Sequence, residues 1–204
     1  MKKVIILVMG LGLILLSQGI ASASIVMFSD NFNSESLGLN YVGFANWNVT
    51  DGSVDLIGSP NFYDLFPGNG RYVDLDGSTG NAGKITTKTS FTFAPGIYEL
   101  QFSLGGNQRT DATDTVYAKI GIGSLFDETF VLSKTSPLTQ YTRYITVSSL
   151  TNANLSFENT GNDNMGAILD NVKLINTIPE PATMSLLGLG LLGLLGLKKR
   201  KARR

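Results

Sequence analysis

The chain contains neither cysteine nor histidine. Without cysteine there is no disulfide framework, no thiolate metal site, no iron–sulfur cluster and no thiol nucleophile. Lipoprotein processing, which needs a cysteine at the new N-terminus, is excluded on the same ground. Without histidine there is no Ser-His-Asp triad, no histidine-based metalloprotease and no haem with a histidine axial ligand. Charge is sparse, at 16% of 204 residues, with a formal net charge of zero. A long stretch of helical period is missing from residues 24–178, which speaks against an α-helical body. The length suits one domain with a real core.

The zero net charge conceals a polarised chain. Lys2 and Lys3 open it, and six basic residues close it. The other eight basic residues lie within 24–178, together with fifteen of the sixteen acidic ones, an excess of seven negative charges. Such a body has no row of cations with which to release counterions from a polyanion. Nucleic acid is therefore not an expected partner.

The N-terminus has the order of a secretory signal peptide. Lys2 and Lys3 are followed by an apolar run over 4–16 and by Ala21-Ser22-Ala23. Small residues at the positions of Ala21 and Ala23 are what signal peptidase requires, so a cut after Ala23 is expected. The alternative, an uncleaved anchor, is disfavoured because the apolar run is short for a span.

The C-terminus has three parts. Pro179-Glu180-Pro181 precedes an apolar run over 182–197, which precedes Lys198, Lys199, Arg200, Lys201, Arg203 and Arg204. Sixteen helical residues cover about 24 Å, somewhat short of a hydrocarbon core of about 30 Å. Snorkelling lysines and local thinning absorb the difference. The positive-inside rule keeps both basic ends in the cytosol, so the intervening body faces outward. Two prolines hold the tripeptide extended beside the membrane, a form suited to a protease. Gly188, Gly190, Gly193 and Gly196 include no pair four apart, so no GxxxG seam is formed.

This tail resembles a PEP-CTERM sorting signal. The resemblance implies an exported protein of a Gram-negative bacterium, held transiently in the inner membrane and handled by an exosortase that cuts near Pro179-Glu180-Pro181. It further implies a destination at the cell surface or in an extracellular matrix with exopolysaccharide. The alternative is a helix-breaking linker before a permanent anchor.

Within the body, short alternating runs recur between Gly, Asn, Asp and Pro. The pattern predicts strands over 47–50, 53–57, 71–75, 84–93, 96–104, 115–122, 129–132, 140–147, 154–158 and 167–175. Strands at such spacing argue for an all-β antiparallel sandwich or barrel. In 96–104, Tyr98, Leu100, Phe102 and Leu104 oppose Ile97, Glu99, Gln101 and Ser103. In 140–147, Tyr141, Arg143, Ile145 and Val147 oppose Thr142, Tyr144 and Thr146. The expected organisation is a signal peptide over 1–23, a β-sandwich over 24–176 and the sorting signal over 177–204.

The order Asp30-Asn31-Phe32, Asn46-Trp47-Asn48-Val49, Arg71 to Gly77, Phe91-Thr92-Phe93, Tyr98 to Phe102 and Ile168 to Leu174 resembles galactose-binding-like jelly rolls. The resemblance implies a structural Ca²⁺ shared by Asp170 and oxygens near the first strand, from Asp30, Asn31 or Glu35. An oxygen-rich shell of six to eight ligands suits that ion. The alternative has Asp170 capping a turn.

Asp74 and Asp76 lie at i and i+2 on one predicted strand, about 6.7 Å apart, a separation that superficially suits an inverting glycosidase. Both come from a single run ending at Gly77, so a solvated face leading into a turn is expected. Trp47 and Phe66 are expected in the core. Tyr63 with Asp64 and Arg71 makes the candidate exposed sugar-binding patch, by ring stacking beside planar hydrogen-bonding groups. The polar stretches 107–114 and 159–164 lack EF-hand spacing and are expected as solvated turns. The reading is a non-enzymatic surface or matrix protein that binds polysaccharide. A carboxylate-based carbohydrate-active enzyme and a purely structural matrix subunit are its alternatives.

Overall fold

A computed structural model describes residues 23–109, 115–161 and 163–178. The signal-peptide residues before Ala23, the Pro179-Glu180-Pro181 tripeptide, the expected span over 182–197 and the basic tail lie outside them. Among the described residues no helix is long and apolar enough to cross a membrane. Residues Ile25–Thr177 form one compact unit.

That unit is an antiparallel β-sandwich of the jelly-roll kind. Its strands are β1 (Ala23–Asp30), β2 (Trp47–Asp51), β3 (Asp55–Gly58), β4 (Arg71–Asp74), β5 (Lys84–Thr87), β6 (Phe91–Phe93) and β7 (Gly96–Gly105). They continue with β8 (Thr115–Ile122), β9 (Phe126–Ser133), β10 (Thr139–Val147), β11 (Thr151–Ala153), β12 (Leu155–Thr160) and β13 (Ile168–Ile178). One sheet runs β10-β7-β13-β4-β3, with β1 also on β13. The other runs β2-β5-β12-β8-β9, and β6 pairs with β11 separately.

The core lies between the two sheets, and period-two alternation fills it. Tyr98, Leu100, Phe102 and Leu104 are buried from β7, Ile145 and Val147 from β10, and Leu155 and Phe157 from β12. Side chains on opposite sheets meet there. Phe102 of β7 packs against Phe157 of β12 and Phe130 of β9, with ring centroids 5.6 and 5.4 Å apart. Edge-to-face aromatic pairs of this kind contribute about 0.5–1.5 kcal/mol each beyond their buried area. Trp47 is fully buried, as its pattern predicts.

Phe66 takes a different place from the one expected. With Phe62, Leu65 and Leu138 it covers a second, small cluster of Ile57, Tyr72 and Ile168. The predicted strand over 84–93 is also two strands in different sheets, β5 and β6. Asn154 Nδ2 donates to the carbonyls of Thr87 and Thr89, at 2.7 and 3.1 Å, and turns the chain aside between them.

Candidate functional site

The outward members of three neighbouring strands make a polar stripe on the six-stranded sheet. On β7, Glu99, Gln101 and Ser103 point away from the core. Across β10 they stand opposite Tyr144, Thr142 and Gln140 in that order. Across β13, Ser103 stands opposite Asp170 and Gln101 opposite Lys173, with a bulge between Asp170 and Lys173. Asn171, inside the bulge, adopts a left-handed φ of 51°, which asparagine tolerates better than most residues. The bulge brings Asn171 and Lys173 to the rim of a hollow of about 360 Å³, which Gln101, Ser103 and Gln140 line with Ser29, Asp30 and Asn31 from the end of β1. Every one of these side chains is polar. Farther along the outward face of β10, Tyr144 is 69% exposed.

Beneath the hollow, Asp30 is a built-in acceptor. Its Oδ1 accepts Phe32 N–H at 2.9 Å, and its Oδ2 accepts Trp47 Nε1–H at 2.9 Å and Asn46 Nδ2–H at 3.0 Å. Asp170 is buried nearby. Burial, helped by the Asp30 charge and opposed by the Asn171 N–H, pushes its carboxyl up to about 7. Its oxygens accept Asn171 N–H at 2.7 Å and Asn171 Nδ2–H at 2.9 Å, the turn-capping arrangement. Glu35 turns elsewhere, accepting Ala45 N–H at 2.7 Å and the Tyr41 hydroxyl at 3.4 Å. Among the described residues no three carboxylates converge closely enough to hold a metal ion.

The expected solvated face at Asp74 and Asp76 is overturned, because both residues are completely buried. Distant chain covers them. Gly166 N–H donates to Asp74 Oδ1 at 2.8 Å, and Leu75 N–H donates to the Ala167 carbonyl at 3.0 Å. Burial raises the Asp74 carboxyl to about 7, against the pull of the Asp76 N–H and of Arg109, whose Nη2 lies 3.4 Å from Oδ2. The Asp76 carboxyl is also raised, first by burial and then by the Asp163 charge. Two expected solvated turns are in part core. Asn107 is fully buried and donates to the Met165 carbonyl at 3.0 Å, while Asn159 is 4% exposed and accepts Ala167 N–H at 3.2 Å.

Tyr63, Asp64 and Arg71 are joined by no described contact. Tyr63 is 57% exposed. Asp64 Oδ1 accepts the Tyr72 hydroxyl at 2.9 Å, and burial, helped by this bond, pushes the Tyr72 phenol up to about 12. The Arg71 guanidinium donates to the Glu35 carbonyl.

The last described strand ends at Ile178. Residues 177–201 match a family model, and the match overlaps the end of β13. They form a PEP-CTERM protein-sorting motif. No curated protein is similar enough to the chain to count as a relative. Solved structures with a similar fold include the K3 cleaved adhesin domain of Lys-gingipain from Porphyromonas gingivalis W83. It is 15% identical at a TM-score of 0.47, over 75% of this chain and 99% of that one. TmCBM61, solved with β-1,4-galactotriose, is 14% identical at 0.45, over 72% and 99%. Carbohydrate-binding module CBM6cm-2 of Cellvibrio mixtus lichenase 5A, solved with cellotriose, is 11% identical at 0.40, over 75% and 98%. At these identities the likeness extends to no ligand, and the fold rests on the strand order itself.

Proposed function

We propose that this is an exported, exosortase-sorted protein whose sandwich binds polysaccharide outside the cytosol without chemically changing it. The observation that carries the reading is the polar stripe on the six-stranded sheet, with its hollow and the exposed Tyr144. Sugar hydroxyls need directional donors and acceptors, and Gln101, Gln140, Asn171 and Lys173 supply them around the hollow. Tyr144 offers a ring face for stacking. The PEP-CTERM motif supports release to the surface or matrix after transient anchoring in the inner membrane.

Two facts favour a binder over a glycosidase. A hydrolase needs a pair of carboxyl groups within reach of the sugar. Asp74 and Asp76 have no exposure at all, and the carboxylate in the hollow, Asp30, is held by three protein donors.

Affinity electrophoresis through gels containing soluble xylan, β-glucan, galactan or bacterial exopolysaccharide tests the reading. Retardation by at least one polymer is expected, reduced at least tenfold by Q101A with Q140A and by Y144A. No retardation by any of them, or release of reducing sugar, would overturn it.

A further inference from the structure

Glu99, on the outward face of β7, is a half-buried carboxylate. Its Oε1 accepts a side-chain N–H of Gln101, two residues along the same face. Among the described residues no cation pairs with it. The cations described in ion pairs, Lys84, Arg109 and Arg143, hold Glu158, Asp74 and Glu128 instead. Lys173 stands one row farther along, opposite Gln101 and at the rim of the hollow.

Apart from Gln101, the neighbours of Glu99 on this face are apolar or aromatic. Tyr144 of β10 and Ile175 of β13 stand directly opposite it, one on each side. Side chains so opposed have Cβ atoms about 4.5–5.5 Å apart. Ile97, two residues back on the same face of β7, is 44% exposed. A cation gains twice at such a place, from the negative face of the Tyr144 ring and from the Glu99 carboxylate. Apolar flanks exclude water and so strengthen both attractions. A neutral hydroxyl gains far less.

We infer that Glu99 and Tyr144 form an ammonium subsite, so that the stripe takes a polysaccharide carrying free amino groups, a partly de-N-acetylated hexosamine polymer. The inference rests on the polysaccharide reading above and narrows its ligand. At longer range the body favours the same class. Its excess of seven negative charges over 24–178 draws a polycation and repels an acidic polymer. Lys173 sets the order of groups along the stripe. Its charge keeps an ammonium out of the hollow, which is left to hydroxyl or acetamido groups, while the charged sugar sits at the Glu99 end. A polymer with both free and acetylated amines fits that order.

The full chain in mild detergent is titrated calorimetrically with soluble glucosamine oligomers and with the same oligomers N-acetylated. The free-amine oligomers should bind about tenfold more tightly at low salt, and the preference should shrink as salt rises. E99Q keeps the size of the side chain and an acceptor for Gln101, and should bring the two affinities together. D51N removes the same charge from exposed Asp51 of β2, in the other sheet, and should leave the preference intact. Equal affinity for both oligomers in wild type, or a preference that survives E99Q or falls as far in D51N, overturns the subsite. Retardation by neutral polymers would then still uphold the polysaccharide reading. Binding of no polymer at all overturns both.

Discussion

Trp47 donates its indole N–H to Asp30 Oδ2 at 2.9 Å, and the two residues belong to different sheets. The bond fixes the end of β1 against β2 and so sets the floor of the polar hollow. Asp30→Ala leaves the buried indole, the Asn46 amide and the Phe32 N–H without this acceptor. Each such loss costs about 1–3 kcal/mol, so the urea midpoint should fall markedly at unchanged m value. Asp30→Asn keeps an acceptor oxygen and should fall less.

The Asp170 carboxyl gives the protein a definite pH dependence. Its usual value of 3.8 rises to about 7 in the fold, because burial and the Asp30 charge outweigh the Asn171 N–H. The folded state therefore holds the proton more tightly than the unfolded state. The resulting stability is fully present below about pH 4, declines as pH rises through about 7, and is flat above. Asp74 acts in the same direction. In EDTA, Tm measured from pH 4 to pH 8 (about those limits) should fall for wild type, and the slope should be shallower in Asp170→Asn.

Close packing over the buried acids makes Gly166 intolerant of a side chain. A Cβ there would lie 2.3 Å from Asp76 N and 2.7 Å from Asp74 Oδ1. Gly166→Ala must displace backbone, at a cost of about 1–3 kcal/mol. Gly96→Ala is the comparison, since its Cβ would meet only ordinary contacts at 3.9 and 4.0 Å, and its Tm should change little.

The pair Arg143–Glu128 should matter far less than its geometry suggests. Two bonds of 2.6 and 2.7 Å join them, and the guanidinium lies 5.0 Å from the Phe130 ring centre. About a third of each side chain is exposed, so water and salt screen the attraction. Arg143→Ala should cost about 1 kcal/mol or less, with a smaller difference in high salt.

Local pattern made the layers legible but not what covers them. The alternation in β7 and β10 was enough to separate Tyr98, Leu100, Phe102 and Leu104 from Glu99, Gln101 and Ser103. What it could not show is that β7, β10 and β13 are neighbours, and only that adjacency turns scattered polar residues into one hollow. Tyr144 carried a usable signal, as an aromatic on the polar side of an alternating strand. Asp74 and Asp76 flank Leu75 as a surface pair would. Their burial depends on Gly166 and Ala167, about ninety residues later in the chain. The break between β5 and β6 likewise depends on Asn154, because the Thr-rich run from Thr86 to Ser90 has every local reason to stay extended.

The most direct test of the central claim, that the sandwich works outside the cytosol after its tail is removed, is the intact mass of the protein recovered from outside the cell. The account expects a species beginning at Ser24 and lacking the run from Leu191 to Arg204. An external species that retains that run, or a protein found only in the cytosol, would contradict it.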